Sequence, residues 1–189
     1  MEQKKSDRRV RKTKEVLRKA LTQLLGKMEL KDITVSMLTE MADINRSTFY
    51  LHYKDAYDLF EHVENEALND FREIITKHTQ QKSLVWRSIM LDMFRYLSTN
   101  AQTVTALLGA KESSLLTKIV DMNRPASNAE WQRLFGTEKT ELYEYYYAFI
   151  TSGCIALARA WFNKGMPESA EEMAALAEKL MSNSILHLM

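Results

Sequence analysis

The sequence predicts an all-α protein. Its 189 residues include only 5 Gly and 2 Pro, and 46% of them are hydrophobic. Apolar residues recur at the spacing of three and four that is typical of helices, and few segments alternate in the way that is typical of strands. The predicted architecture is an N-terminal three-helix domain over 1–54 and a C-terminal helical bundle over 55–189.

A basic amphipathic helix is predicted first, over residues 8–25. Its apolar residues lie on one face and are Val16, Leu17, Ala20, Leu21 and Leu24. Gly26 follows them and is a suitable helix C-cap, because glycine adopts the left-handed backbone of that position at low cost. The first helix therefore has an apolar face that can pack against the two helices after it.

The segment over 34–55, TVSMLTEMADINRSTFYLHYKD, has the pattern of a helix-turn-helix. Two short helices that cross at a turn need apolar inner faces. Residues at helical spacing supply these faces, namely Val35, Leu38, Ala42, Phe49 and Tyr53. Ile44 can fill the gap at the turn. Thr34 and Asn45 are predicted N-caps, because their side chains can accept hydrogen bonds from the first N–H groups of each helix.

The exposed face of the second helix carries groups that donate to phosphate oxygens and base edges, an arrangement that suits a DNA major groove. The candidate DNA-binding residues are Thr34, Ser36, Asn45, Arg46, Ser47, Thr48, Tyr50, His52 and Lys54. Arg46 can pair bidentately with guanine. Two candidates have structural alternatives, since Tyr50 can pack against the first helix and His52 can act as a cap.

This segment resembles the DNA-binding domain of TetR-family transcriptional regulators over about residues 8–60. The strongest part of the match is Thr48-Phe49-Tyr50-x-His52-Tyr53-Lys54-Asp55, followed by Leu59. The resemblance implies that Tyr50 and His52 contact phosphate groups. Asp43 replaces the usual turn glycine, Thr39 a usual alanine, and Ala56 a common lysine.

Charge is unevenly distributed along the chain. Residues 1–54 carry 13 Lys and Arg against 7 Asp and Glu, whereas residues 55–189 carry 13 against 18. The overall charge of +1 therefore combines a basic N-terminal part of +6 with an acidic remainder of −5. A basic domain is what duplex binding requires, because neutralising phosphates releases counterions. Residues 1–7 can alternatively be only a solvated tail.

The C-terminal part is predicted to hold helices over 56–77, 84–98, 101–108, 113–120 and 137–163, with a loop at 80–83 and irregular structure at 122–128. A last helix is predicted to start at Ser169 or Glu168. Gly165-Met166-Pro167 should end the penultimate helix. The last two helices can form half of a four-helix bundle across a two-fold axis. The predicted dimer residues are Tyr146, Phe149, Ile150, Gly153, Leu157, Trp161, Met173, Leu176, Ala177, Leu180 and Met181. The same stripe can alternatively be an intramolecular core.

This C-terminal region also resembles a TetR subgroup that includes regulators of dihydroxyacetone kinase operons. The resemblance implies an effector pocket, with an unknown small molecule or a protein as effector. Adaptable apolar residues that could line it are Trp86, Met90, Met93, Phe94, Met122, Trp131, Phe135, Tyr143 and Tyr147. The alternative is that these side chains only fill the core.

Enzyme function is not expected. The four histidines have no metal-ligand spacing, glycine-rich phosphate loops are absent, and Cys154 lies within an apolar helix, so no cofactor or metal is predicted. The sequence has no apolar run of 18 residues and no apolar signal core, which predicts a cytoplasmic protein without membrane contact.

The predicted function is a homodimeric TetR-type repressor of a pseudo-palindromic operator. The alternative is a helical protein-interaction module that has lost DNA binding.

Overall fold

The computed structural model of the chain describes residues 2–79, 86–136 and 140–186. Every regular element in these ranges is helical, which confirms the predicted fold class. The helices are α1 (Glu2–Leu25), α2 (Val35–Met41), α3 (Arg46–Tyr50), α4 (Ala56–Thr79), α5 (Trp86–Thr99), α6 (Ala101–Gly109), α7 (Leu115–Phe135), α8 (Thr140–Asn163) and α9 (Ala170–Leu186), with a 3₁₀ turn at Leu30–Asp32. The predicted loop at 80–83 and the start of the helix predicted from 137 lie outside the described residues.

The chain forms two compact units. The head unit comprises residues 1–68 and 102–115, and the body unit comprises 69–101 and 116–189. The sequence predicts a boundary between two domains at residues 54 and 55, and this boundary stays a prediction. Fully buried leucines and one phenylalanine make the centre of the head unit, and they are Leu17, Leu21, Leu30, Leu38, Phe49 and Leu59.

A buried carboxylate on α4 connects that helix to the start of α7 within the head unit. Glu64 is 3% exposed. Its Oε1 accepts from the Ser114 backbone N–H at 2.7 Å and from the Ser113 hydroxyl at 2.8 Å, while its Oε2 accepts from the Ser114 hydroxyl at 3.0 Å. Because a helix N-terminus has unpaired N–H donors and a partial positive charge, Glu64 stabilises the beginning of α7.

The helix α7 is longer and more regular than predicted. The sequence predicted a short helix over 113–120 followed by irregular structure, but one helix runs over Leu115–Phe135 with Pro125 inside it. Proline removes a helical hydrogen bond and normally ends or bends a helix. Here two hydroxyls of α8 donate to α7 backbone carbonyls before the proline: that of Tyr143 to Arg124 at 3.0 Å and that of Tyr147 to Val120 at 2.6 Å. These bonds attach the turn of α7 that precedes the proline to α8.

The turn between α8 and α9 forms as predicted. Gly165 has φ +79°, and the Met166 N–H donates to the Trp161 carbonyl at 3.0 Å, so a left-handed residue closes the end of α8. Ser169 caps α9: its hydroxyl accepts from the Glu172 N–H at 3.2 Å, and its own N–H donates to the Glu172 carboxylate at 2.8 Å. The helices α8 and α9 therefore have fixed ends.

No helix within the described ranges has the length and apolar character that crossing a bilayer requires.

Candidate nucleic-acid interface

The start of α2 is fixed by the predicted cap. The Thr34 Oγ1 accepts from the Met37 N–H at 3.3 Å, which confirms Thr34 as N-cap. Thr39, in the family's alanine position, is 4% exposed, but its hydroxyl is satisfied because it donates to the Val35 carbonyl at 2.9 Å. The threonine is therefore accommodated without an unpaired buried hydroxyl.

The turn between α2 and α3 has the left-handed backbone that the family's glycine would supply. Asp43 has φ +52°. The next N–H, that of Ile44, donates to the Thr39 carbonyl at 3.0 Å and closes the end of α2. Aspartate tolerates this conformation better than most residues, so the turn persists without glycine.

Asp43→Gly is expected to raise the free energy of unfolding by about 0.5–1 kcal/mol, because glycine adopts positive φ without strain. Asp43→Ala is the matched variant and should lower it by about 1 kcal/mol, because alanine clashes in that region. Urea unfolding followed by circular dichroism measures both. Equal stability of the two variants would contradict a strained turn.

Asn45 does not act as a side-chain cap, so this prediction is wrong. Its backbone occupies the N-cap position of α3, and its carbonyl accepts from the Thr48 N–H at 3.0 Å. Its side chain makes no cap hydrogen bond and the residue is exposed. At an exposed helix start, water can satisfy the first N–H groups, so a side-chain cap is not required.

The inner face of α3 is buried as predicted. Phe49 is fully buried and Tyr53 is 4% exposed, with their ring centroids 5.8 Å apart. Burial raises the pKa of Tyr53 to about 12, so its hydroxyl stays protonated at neutral pH. Leu38 of α2 is also fully buried, while Ile44 at the turn is half-buried. This small core fixes the orientation of α3.

The outer face of α3 is open to solvent. Tyr50 is 59% exposed, although the edge of its ring contacts Phe49 at 5.6 Å between centroids. Arg46 and Ser47 are exposed, while Thr48 is half-buried. Of the other candidates, Thr34, Asn45 and Lys54 are exposed, while Ser36 and His52 are half-buried. The head unit thus brings the predicted residues to one short helix and its flanks.

Two of the candidates contact each other across the turn. The Nη2 of Arg46, the first residue of α3, donates to the Oγ of Ser36 in α2 at 2.7 Å. Ten residues separate them in the sequence, and no local pattern predicts this bond.

The connection from α3 to α4 is held by two aspartates. The Asp58 N–H donates to the Asp55 carboxylate at 2.8 Å, and the Lys54 N–H donates to the Asp58 carboxylate at 2.8 Å. These bonds fix the backbone of Lys54 while its side chain remains exposed. Ala56, where the family commonly has lysine, is 4% exposed and packs in the core.

Two apolar surface residues were missed by the sequence analysis. Leu51, directly after α3, is 79% exposed, and Tyr57, in the first turn of α4, is 50% exposed. The site prediction for this face rested on hydrogen-bonding groups alone. A large apolar side chain between predicted phosphate contacts was the available signal, since apolar groups contact thymine methyls.

The residues predicted to line an effector pocket lie in two separate clusters of the body unit. Met90 and Phe94 are buried with Trp161 and α9, and Trp86 and Met93 pack against them. The second cluster is formed by Trp131, Tyr143 and Tyr147. Met122 is half-buried, and the side chain of Phe135 lies outside the described residues.

The predicted dimer residues divide between core and surface. Trp161, Met173, Ala177 and Met181 are buried, while Tyr146, Ile150 and Leu157 are half-buried. Phe149, Leu176 and Leu180 are 67%, 43% and 54% exposed, and Gly153 is also exposed. Tyr145, which was not among the predicted residues, is 78% exposed one helical turn before Phe149.

An apolar cleft of about 170 Å³ lies between α8 and α9 beside these exposed residues. Its lining includes Phe149, Gly153, Cys154 and Leu180. Burial raises the pKa of the Cys154 thiol to about 11, so the reactive thiolate is scarce at neutral pH. The cysteine is therefore suited to packing and not to nucleophilic chemistry.

These features define the class of the protein: it is a helical protein with a helix-turn-helix whose second helix has a buried inner face and an exposed polar outer face. The family model of the TetR transcriptional regulator C-terminal region matches residues 85–183. That match covers more than half of the chain. The protein therefore belongs to the TetR family of transcriptional regulators, as predicted.

A curated protein matches this chain over a shorter stretch. The chain is 40% identical over 60 residues to the uncharacterized HTH-type transcriptional regulator YxbF of Bacillus subtilis (strain 168). These residues are 31% of this chain and 16% of that protein, so the chain spans only a small part of its curated relative.

Solved structures with a similar fold are also transcriptional regulators. The dihydroxyacetone kinase operon activator DhaS has a TM-score of 0.59 at 19% identity, over 92% of this chain and 96% of that chain. The fatty acid degradation regulator FadR from Bacillus halodurans has a TM-score of 0.67 at 16% identity, over 89% and 94%. SmeT in its triclosan complex has a TM-score of 0.70 at 13% identity, over 91% and 90%. At these identities the likeness establishes the fold. The family and its neighbours are regulators and not enzymes, in agreement with the prediction.

Proposed function

We propose that this regulator binds a pseudo-palindromic operator as a homodimer and represses transcription until a small-molecule or protein effector releases it. In each protomer α3 enters a major groove. The observation that carries this proposal is the two-sided character of α3, with Phe49 buried beneath it and Arg46, Ser47 and Tyr50 exposed above. A helix held by its inner face can present its outer side chains without rearrangement.

The roles of the side chains follow from their positions. Arg46 and Ser47, at the start of α3, are placed to approach base edges, with Thr48 beside them. Tyr50, His52 and Lys54 follow at the end of α3 and bind phosphate oxygens, as do Thr34 and Asn45 at the helix starts. The excess of cations over residues 1–54 strengthens this contact.

The proposed dimer uses the exposed apolar residues of α8 and α9. Large apolar side chains such as Phe149 and Leu180 are costly to leave in water, and a second copy of the same pair of helices would cover them. Two heads on one duplex also bind far more tightly than one head alone. A recognition helix of only five residues needs this gain, because it makes few contacts by itself.

The protein-interaction module is the alternative outcome. Asp43 and Ala56, which replace the family's usual turn glycine and lysine, would favour such a module if they disrupted the head unit. Asp43 nevertheless keeps the left-handed turn, and Ala56 packs within the head unit. A regulator that acts only through proteins would show no salt-dependent affinity for random duplex DNA, whereas a DNA-binding regulator would.

Replacing Arg46 and Tyr50 together by alanine is expected to weaken operator binding about 100-fold or more at fixed salt, because a base contact and a phosphate contact are lost in each half-site. Fluorescence anisotropy on a labelled duplex measures the affinity. Arg72→Ala is the matched control, since Arg72 is exposed and its described bond is to Asn69 on its own helix. Unchanged affinity in a folded double variant would refute the assigned interface.

A further inference from the structure

The guanidinium group of Arg46 is held in place within the free protein. Its Nη2 donates to the Ser36 hydroxyl at 2.7 Å, across the turn that joins α2 to α3. Within residues 2–79, 86–136 and 140–186, no ion pair includes Arg46. The charge of this exposed side chain is therefore oriented by a neutral hydroxyl, and no carboxylate of the described residues neutralises it.

The bonded pair of Arg46 and Ser36 still has hydrogen-bond donors available for a partner. A guanidinium group has five N–H donors, and the bond to Ser36 uses one of them. The Ser36 oxygen accepts that bond, so its own hydroxyl proton remains available to donate. A surface of this kind matches a partner that offers adjacent acceptors.

In the major groove, guanine offers two neighbouring acceptors, O6 and N7, whereas adenine places an amino donor beside its N7. We propose that Ser36 is a positioning residue for Arg46, and that the two together select a guanine in each operator half-site. This inference rests on the proposed DNA-binding function and specifies its base preference. It replaces the direct DNA contact predicted for Ser36.

The physical advantage is preorganisation. A free arginine side chain loses much rotamer freedom when it is fixed on a base edge. The bond to Ser36 restricts Arg46 before the duplex arrives, so less freedom is lost on binding. Removal of Ser36 should therefore weaken binding only when Arg46 is present to be positioned.

The test is a double-mutant cycle on a duplex selected by the wild-type protein, at fixed salt. Arg46→Ala is expected to weaken binding about 10- to 100-fold on the guanine duplex. It should have little effect on a duplex in which that guanine is replaced by adenine or 7-deazaguanine. Ser36→Ala is expected to weaken binding about threefold to tenfold in the wild-type background and not at all in the Arg46→Ala background.

Two further variants test whether the effect depends on the hydroxyl group of Ser36. Ser36→Thr retains the hydroxyl and should restore affinity and guanine preference. Ser98→Ala removes an exposed serine hydroxyl from α5, where its bond is to the Arg95 carbonyl, and should change neither quantity.

Two outcomes would overturn the inference while the proposed function stands. Additive effects of Ser36→Ala and Arg46→Ala would mean that Ser36 contacts DNA itself. An equal loss on guanine and adenine duplexes would mean that Arg46 contacts phosphate and does not select a base. A wild-type protein that binds no duplex would instead overturn the proposed function and this inference together.

Discussion

Replacing both Phe149 and Leu180 by aspartate is expected to give a folded monomer whose operator affinity is about 10²–10⁴-fold lower. These side chains are 67% and 54% exposed, so their replacement removes little of the protein's own core. Four carboxylates brought together in the proposed interface would oppose association. Loss of the dimer removes the gain from simultaneous binding of two heads, which has this magnitude.

Sedimentation equilibrium and anisotropy with the operator duplex measure the two effects on the same samples. The matched control is Phe149→Leu with Leu180→Met, which keeps the surface apolar and should remain dimeric with full affinity. A double aspartate variant that stays dimeric would place the interface elsewhere. A monomer that retains affinity would contradict the requirement for two heads.

Phe49→Ala is expected to lower the free energy of unfolding by about 3–5 kcal/mol, the cost of removing a large side chain from a packed core. Phe49 is fully buried and contacts both Tyr50 and Tyr53. Because this ring fixes the inner face of α3, its loss should also abolish operator binding. Urea unfolding followed by circular dichroism measures the change in stability.

The neighbouring residue provides the control for stability. Tyr50 is 59% exposed, so Tyr50→Ala should change the free energy of unfolding by no more than about 0.5 kcal/mol. It should nevertheless weaken operator binding. If the two variants lost equal stability, the division of α3 into a buried and an exposed face would be wrong.

The helix-turn-helix was predictable because its determinants are local. The spacing of Leu38, Phe49 and Tyr53 marks the inner faces, and Thr34 has the position and chemistry of an N-cap. The ends of α8 and α9 were predictable for the same reason, since Gly165 and Ser169 act on their immediate neighbours.

Features that depend on distant residues were not predictable. Pro125 indicates a helix end, yet α7 continues through it, and the carbonyls just before the proline accept from the hydroxyls of Tyr143 and Tyr147, which belong to another helix. The bond between Arg46 and Ser36 likewise depends on the angle between two helices. Sequence periodicity reports which face of a helix is apolar, but not which neighbour covers it.

The same limit applies to the residues predicted for the dimer interface in the last two helices. The sequence placed Phe149 and Trp161 on one proposed dimer face, yet Trp161 is 2% exposed and its indole N–H donates to the Glu168 carbonyl at 3.1 Å. Phe149 remains at the surface. Apolar residues on a single stripe can serve the core at one end and a partner at the other, and only packing separates them.

Selection of bound sequences from a random pool of duplex DNA tests the central claim most directly. The outer face of α3, presented twice by a dimer, should enrich two inverted half-sites whose centres are separated by a constant distance. A guanine should recur at the same place in both halves. Failure to enrich any sequence, or enrichment of a single half-site without a partner, would contradict the proposed mode of DNA binding.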